Sequence, residues 1–259
     1  MTSTYLNYKL ISRDITKTLS EKASEKANSR EIKYYSDHIS EIKSVDDFIG
    51  NARIFNFAMQ AFGLDDMAYA KGFMRKILAG PPDANGMRLV DRIQDARFRE
   101  FANAFDFQTH GANTTQRPEA RQAPIDSYVR QKLESDAGQQ DEGTRLALYF
   151  KRQAGTIRSA FGILADKALA EVVRTALGLP PEMAMSNLDA QAALINRKLD
   201  IASFKDTEKL DKFIKRFTIM WDQKNDTAST PTLSLFGGSD SGFDTGLLLK
   251  LQSIRLGGH

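Results

Sequence analysis

The sequence predicts an all-α protein with two tandem copies of a multi-helix unit packed as one pseudo-symmetric helical domain, followed by a flexible C-terminal tail. Three observations support this fold class. Apolar residues recur at helical spacing, glycine and proline fall at the edges of those segments, and no run alternates strictly between apolar and polar residues. The second half of the chain also repeats the apolar pattern of the first.

The composition is that of an ordinary globular protein. Of 259 residues, 41% are hydrophobic and 27% are charged, which provides enough apolar surface to close a core. The 36 basic and 33 acidic residues are interspersed along the chain, so we expect no nucleic-acid partner. Because cysteine is absent, disulfides, thiolate metal sites and a cysteine nucleophile are excluded.

The N-terminal residues contain no charged region followed by an apolar one, so we expect no Sec signal. No stretch approaches the ~18 consecutive apolar residues that would span a bilayer. We therefore expect a cytoplasmic protein without a transmembrane segment. Export by a route that needs no Sec signal is also compatible with this N-terminus.

Short helices are predicted throughout the N-terminal repeat. The apolar spacing predicts a polar helix over residues 10–28 and a second helix over residues 30–42. Ser44 opens a capping-box pattern, in which its side chain accepts a backbone N–H bond and a carboxylate three residues later accepts the backbone N–H of the cap residue. The amphipathic segment 51–62 ends at Gly63, where a left-handed C-terminal cap is expected.

Two further helices are predicted after aspartates that act as N-caps. Asp65 precedes a helix over residues 67–79, and Asp95 precedes a helix over residues 96–107. Asp65-Asp66 and Asp46-Asp47 could be paired carboxylates for acid–base chemistry, but each pair lies where a helix N-terminus favours negative charge. We interpret both pairs as capping residues.

Residues 108–124 are polar, contain proline and threonine, and show no periodicity, so they are predicted to be a surface linker. This linker separates an N-terminal helical repeat, residues 1–107, from a C-terminal helical repeat, residues 125–224. Residues 225–259 are rich in Ser, Thr, Gly and Asp and are predicted to form a flexible tail that ends in a short apolar helix.

The repeat is visible when residues 32–64 are placed on residues 147–179 without a gap. The apolar positions then coincide, and both units end in an alanine, a large apolar residue, glycine and leucine. With a further shift of three residues, a phenylalanine stripe falls on apolar positions of the last long helix. The corresponding residues are Tyr34 and Tyr149, Tyr35 and Phe150, Ile42 and Ile157, Ser44 and Ser159, Phe48 and Ile163, Ile54 and Leu169, Phe98 and Leu210, Phe101 and Phe213, and Phe105 and Phe217.

No catalytic, cofactor or metal motif is present. His38, His110 and His259 lie in different segments without other ligands at metal-binding spacing. Phosphate-binding loops, dinucleotide fingerprints and nucleophile elbows are also absent. We predict a protein that is not an enzyme and that binds no cofactor. An enzyme or small-ligand binder with a site between the two repeats remains an alternative, since carboxylate catalysis needs no sequence signature.

The C-terminal segment contains the candidate partner-binding residues. On a helix its apolar side chains would cover most of the circumference, so they either pack on the domain or dock into a groove of another protein. These residues are Leu247, Leu248, Leu249, Leu251, Ile254 and Leu256.

Four segments resemble the bacterial domain-of-unknown-function family 1217. They are TYLNYK at residues 4–9, KSVDDF at 43–48, AMQAFGLDDMAYAK at 58–71 and KLDKFIKRFTIMW at 209–221. The resemblance implies a location among flagellar genes of alpha-proteobacteria, where some members are labelled flagellar basal-body rod protein. It implies no catalytic residues.

Two non-enzymatic hypotheses follow from this resemblance. The first is an accessory or assembly protein of the flagellar system that contacts a basal-body or export component. The second is an exported structural protein associated with the basal-body rod. Residues 1–44 lack the sustained apolar heptads of axial proteins. The sequence therefore favours the accessory role.

Overall fold

A computed structural model describes residues 3–229, with side chains described as far as Asn225. Within these residues the chain is helical and contains no β-strand, which confirms the predicted all-α fold class. The α-helices are α1 (Thr4–Arg13), α2 (Ile15–Ser24), α3 (Lys26–His38), α4 (Val45–Gly50), α5 (Ala52–Ala61), α6 (Lys71–Ala79), α7 (Ala96–Ala104), α8 (Phe107–His110), α9 (Pro118–Gln140), α10 (Glu142–Gln153), α11 (Ala160–Ala165), α12 (Lys167–Ala176), α13 (Leu188–Lys198) and α14 (Thr207–Ser229).

Short 3₁₀ helices connect many of these elements, at Ile39–Glu41, Asp65–Met67, Leu89–Arg92, Gly111–Gln116, Ala154–Thr156, Pro181–Met185 and Ile201–Lys205. Some predicted bounds were wrong as a result. The helix predicted over residues 10–28 is divided by breaks at Asp14 and Glu25, and the helix predicted over residues 67–79 begins only at Lys71. In residues 3–229, no helix is both long enough and apolar enough to cross a membrane.

The first hydrophobic core is built by α3 to α9 around Phe48. The Phe48 ring lies 4.5 Å from the ring of Phe105 and 5.7 Å from that of Phe55, and all three side chains are fully buried. Phe98 and Phe101 on α7 are also buried. The phenylalanine stripe of α7 is thus core packing, as its helical spacing predicts.

The second core is built by α10 to α14 together with α1. The ring of Phe150 on α10 lies 5.2 Å from the rings of both Phe204 and Phe213. Tyr8 from α1 is 1% exposed within this core. The first helix therefore packs with the second half of the chain, although its residues belong to the predicted N-terminal repeat 1–107.

Elements of the same type recur in the same order in the two cores. In each, a 3₁₀ helix is followed by a six-residue helix and a ten-residue helix. Ser44 and Ser159 cap the six-residue helices with their hydroxyl oxygens, and Gly63 and Gly178 follow the ten-residue helices with φ of 66° and 62°. These correspondences agree with the predicted duplication, which stays a prediction.

The prediction of an aperiodic surface linker over residues 108–124 was wrong for its local structure. These residues contain most of α8, a 3₁₀ helix and the start of α9. Thr114 and Thr115 are fully buried, and the Thr115 hydroxyl donates a 2.8 Å bond to the carbonyl oxygen of Ile42. A polar segment can lie inside a protein when its hydroxyls find backbone acceptors. The 23-residue α9 then contacts both cores.

Candidate functional site

A set of buried and partly buried polar side chains lies between the two hydrophobic cores. We call this set the seam. Three of these side chains are held at the N-terminal ends of helices. Asp95 and Asp166 are the N-caps of α7 and α12, and Arg97 lies in the first turn of α7. The others project from α9 and α10. The seam consists of Asp95, Arg97, Glu134, Tyr149, Arg152 and Asp166.

Arg97 connects the first core to the seam. Its guanidinium donates to both carboxylate oxygens of Asp95 at 2.7–3.1 Å and to the carbonyl oxygen of Gly63 at 2.6 Å. Its Nε also lies 3.8 Å from a carboxylate oxygen of Asp166. Burial acts to lower the pKa of Arg97, but the bonds and charge of Asp95 outweigh burial and raise it. Arg97 is a permanent cation.

Tyr149 and Asp166 form the second part of the seam. The Tyr149 hydroxyl donates to Oδ2 of Asp166, whose Oδ1 accepts the backbone N–H groups of Ala168 and Leu169 at 2.8 and 3.1 Å. Burial raises the pKa of Tyr149, and the negative charge of Asp166 raises it further. Tyr149 therefore keeps its proton and serves as a hydrogen-bond donor at neutral pH.

Arg152 and Glu134 form a buried ion pair between α10 and α9. Nε and Nη2 of Arg152 each donate a 2.8 Å bond to a different oxygen of Glu134, and Nη2 also donates to Oε1 of Gln131 at 3.1 Å. The guanidinium carbon lies 5.0 Å from the centre of the Tyr149 ring. Such a bidentate pair fixes the orientation of both side chains.

The seam thus consists of groups that already bond to one another. A nucleophile or general base needs a free lone pair beside a substrate, and these carboxylates are occupied by arginine, tyrosine or backbone donors. In the described part of the chain no group of three or more histidine, cysteine, aspartate or glutamate side chains could hold a metal ion.

His38 stacks on Tyr34 at 4.2 Å, and its Nδ1 lies 2.8 Å from the Tyr34 carbonyl oxygen.

Two openings reach the seam from outside. One is a small cavity of about 140 Å³, lined by residues at the start of α7 and by the segment between α10 and α11, including Arg99 and Arg158. The other is a wider cleft of about 490 Å³ with Asp65, Arg145 and Trp221 in its walls. The alternative of a site between the repeats requires such an opening, and these two openings are its candidates.

A different kind of surface lies on α1 and α14. Leu6 and Leu10, one turn apart on α1, are 63% and 75% exposed, and Ile219 on α14 is 45% exposed. The same two helices also carry exposed basic residues. We call this surface the α1–α14 face and define it as Leu6, Lys9, Leu10, Lys212, Lys215, Arg216 and Ile219.

Contacts along their length hold α1 and α14 side by side. The Thr4 N–H and the Ser3 hydroxyl donate to the Asp222 carboxylate at 3.2 Å. Further along, Lys9 lies 3.9 Å from Asp211, and the Lys215 ammonium lies 5.5 Å from the centre of the Tyr5 ring. The outward faces of the two helices therefore adjoin and form one continuous surface.

The profile of a family described as "Protein of unknown function (DUF1217)" matches residues 61–210, which is more than half of the chain. The chain belongs to the DUF1217 family. The X-ray crystal structure of protein AGR_C_984 from Agrobacterium tumefaciens is similar to it, with 41% sequence identity and a TM-score of 0.78, over 87% of this chain and 97% of that chain. No curated protein matches it.

The resemblance to DUF1217 is thus confirmed at the level of the family. The predicted partner-binding residues of this DUF1217 protein, Leu247, Leu248, Leu249, Leu251, Ile254 and Leu256, lie outside the described residues. Sequence reasoning did not single out Leu6 and Leu10. A signal was present, because α1 carries more apolar residues than the one buried face that holds Thr4 and Tyr8 requires.

Proposed function

We propose that this DUF1217 protein is a non-enzymatic accessory protein that acts through protein–protein contact, and that its α1–α14 face binds an amphipathic helix of an acidic partner. One observation carries the proposal. Leu6 and Leu10 are 63% and 75% exposed on the same side of a helix whose opposite side is anchored in the second core by Tyr8.

Burial of the two leucines supplies a driving force for this contact. Covering a fully exposed leucine contributes about 1.5–3 kcal/mol, and both side chains keep most of their surface in water. Because α1 is held by Asp222, Asp211 and the second core, it does not have to become ordered on binding. Leucines at positions i and i+4 also match the spacing by which one helix packs on another.

The charge of the face favours an acidic partner. Helix α1 contains Lys9 and Arg13 and no acidic residue. On α14, Glu208 pairs with Lys212 at 3.6 Å, whereas Lys215 and Arg216 have no ion-pair partner among the described residues. Lys9 pairs with Asp211 at 3.9 Å, so the unpaired positive charge of the face comes from Lys215 and Arg216. A partner helix with acidic residues beside its apolar stripe complements this charge.

The bonded state of the seam makes a catalytic role a weaker candidate. Asp166 and Glu134, two buried carboxylates of the seam, are each held by at least two donors. The separate short helices α1, α2 and α3 also differ from the long apolar heptads of an axial rod subunit. An accessory role in the flagellar system is the proposal that combines these features with the family resemblance.

The test compares Leu6→Ser/Leu10→Ser with Leu188→Ser, a matched control because Leu188 is 60% exposed on α13, away from the α1–α14 face. Each tagged full-length variant is purified from flagellated cells, and co-purifying proteins are identified by mass spectrometry. We expect a flagellar basal-body or export component to be lost with the double variant and retained with the control.

Direct binding of purified proteins completes the test. The affinity should weaken at least tenfold in the double variant and fall with rising salt, since exposed charges are screened. Equal binding by the double variant and the control would contradict the assignment of the face. A partner with no flagellar role would contradict the flagellar context. If no protein partner is found and both variants bind anionic lipid vesicles, the proposed protein–protein contact would be wrong and the protein would bind membranes instead.

A further inference from the structure

The small cavity beside the seam has a polar lining from both sides of the molecule. Its volume is about 140 Å³, and it lies between the start of α7 and the segment that joins α10 to α11. Arg99 lines it from α7, and Arg158 and Ser159 line it from the other segment. The cavity is therefore a place where one small molecule would contact both halves of the chain.

The two carboxylates in the cavity wall already accept hydrogen bonds from other groups. Asp95 is paired with Arg97 at 2.7 Å, and it also caps α7 by accepting the Arg97 N–H. Asp166 accepts the Tyr149 hydroxyl and caps α12. Within the described residues, neither carboxylate forms an ion pair with Arg99 or Arg158.

Arg99 and Arg158 are the cations of this cavity that have no ion-pair partner in the described part of the chain. Within the described residues neither guanidinium forms a hydrogen bond or an ion pair. Arg158 is exposed, but Arg99 is half-buried. A partly buried cation without a hydrogen-bonded counter-charge is costly, and an incoming anion would remove that cost.

A free hydroxyl adds to the two cations. The Ser159 oxygen accepts the N–H of Gly162 at 3.1 Å, so its own proton can be donated to a ligand. The Thr156 hydroxyl, by contrast, already donates to the Gln153 carbonyl at 2.9 Å. The available donors are thus two guanidinium groups and one hydroxyl. Such a set of donors can form hydrogen bonds to the oxygens of a phosphate.

We propose that this cavity binds a phosphate-type oxyanion between Arg99 and Arg158. The volume agrees with this ligand, because an engineered cavity of about 150 Å³ accepts a molecule as large as benzene. A tetrahedral oxyanion fits in that space, and a whole nucleotide does not. The anion is free phosphate or the terminal phosphoryl group of a larger molecule, and the two sources share the same contacts.

Binding at this position would stabilise the folded chain. A ligand that binds only the folded state raises the melting temperature in proportion to the logarithm of its concentration above its dissociation constant. Because Arg99 belongs to the α7 side and Arg158 to the α11 side, the anion also links the two sides. This inference is independent of the proposed function, which uses a different surface.

The experiment measures the melting temperature of the full chain in sodium phosphate and in sodium chloride of equal ionic strength. Phenyl phosphate forms a second arm, which distinguishes a phosphoryl end from free phosphate. The variants are Arg99→Gln, Arg158→Gln and the matched control Arg197→Gln, since Arg197 is also exposed and unpaired in the described residues. Calorimetric titration with phosphate then gives the affinities.

We expect phosphate to raise the melting temperature of the parent protein and of Arg197→Gln above that in chloride. Arg99→Gln and Arg158→Gln should each weaken phosphate binding at least tenfold. If Arg99→Gln does not fold, Arg158→Gln decides the outcome, since its side chain is exposed. Equal melting temperatures in phosphate and chloride, or equal phosphate affinity in Arg158→Gln and the control, would overturn the proposal.

Discussion

Replacing Arg152 by methionine should destabilise the protein strongly, because it leaves Glu134 buried without its partner. In the folded chain the side chains of Arg152 and Glu134 are 16% and 4% exposed and share two bonds of 2.8 Å. Each hydrogen bond to a charged group contributes about 1.5–3 kcal/mol. Breaking a buried pair by removing one partner costs about 3–5 kcal/mol, and we expect a loss in that range.

Urea unfolding of four proteins tests this prediction as a double-mutant cycle. Arg152→Met and Glu134→Met should each lower the free energy of unfolding by several kcal/mol, whereas the double variant should lose much less because no charge is left buried alone. Lys33→Met is the control, since the exposed Lys33–Asp37 pair at 2.9 Å should contribute at most about 0.5 kcal/mol. A loss below about 1 kcal/mol in Arg152→Met would refute the reasoning.

Three other changes have expected outcomes. Gly63→Ala should lower the free energy of unfolding by about 1 kcal/mol because of the positive φ at this position, and by more because the new methyl group collides with a neighbouring side chain. Urea unfolding should therefore show a larger loss for this variant than for Gly178→Ala, where the new methyl group meets no close contact. Gly143→Ala should displace Trp221, because the new methyl group would collide with the indole ring. The fluorescence of this single tryptophan should therefore shift. Burial raises the pKa of Tyr35 well above its ordinary value, so as the pH rises the unfolded chain loses this proton before the folded chain does. Above pH ~10 this group should therefore lower the free energy of unfolding by about 1.4 kcal/mol per pH unit. Tyr35→Phe should lack that part of the decline in urea titrations at increasing pH.

The controls for these changes come from the same chain. Gly155→Ala adds a carbon in open space and should leave the tryptophan emission unchanged. Equal losses in Gly63→Ala and Gly178→Ala would mean that the neighbouring Gln131 moves aside freely. Parallel pH curves for Tyr35→Phe and the parent protein would mean that the tyrosine does not titrate differently in the folded and unfolded states.

Local features of the fold could be predicted from the sequence because they depend on neighbouring residues. Ser44 and Asp95 cap their helices as expected, and Gly63 adopts the predicted left-handed conformation. The segment 108–124 was predicted incorrectly, since the acceptor that allows Thr115 to be buried is Ile42, which lies far away in the sequence. Composition alone could not indicate this partner.

The seam could not be predicted for the same reason. Arg97 and Asp166 come together from helices that are distant in the chain, and nothing in their local sequence distinguishes them from other charged residues. Glu134 lay inside a predicted repeat without a periodic pattern around it. The identity of the polar groups between the two cores therefore required the structure.

The bonding of the seam also has a consequence for how interchangeable the two halves are. Under the alignment of residues 32–64 with 147–179, Arg152 corresponds to Asp37 and Asp166 corresponds to Asn51. Replacing residues 147–179 by the sequence of residues 32–64 would therefore place an aspartate beside Glu134 and an uncharged amide near Arg97. If the repeats arose from one ancestor, mutations at this boundary have since made the contact surface of each half specific for the other half. Exchanging one half for a copy of the other would place like charges together where water is excluded.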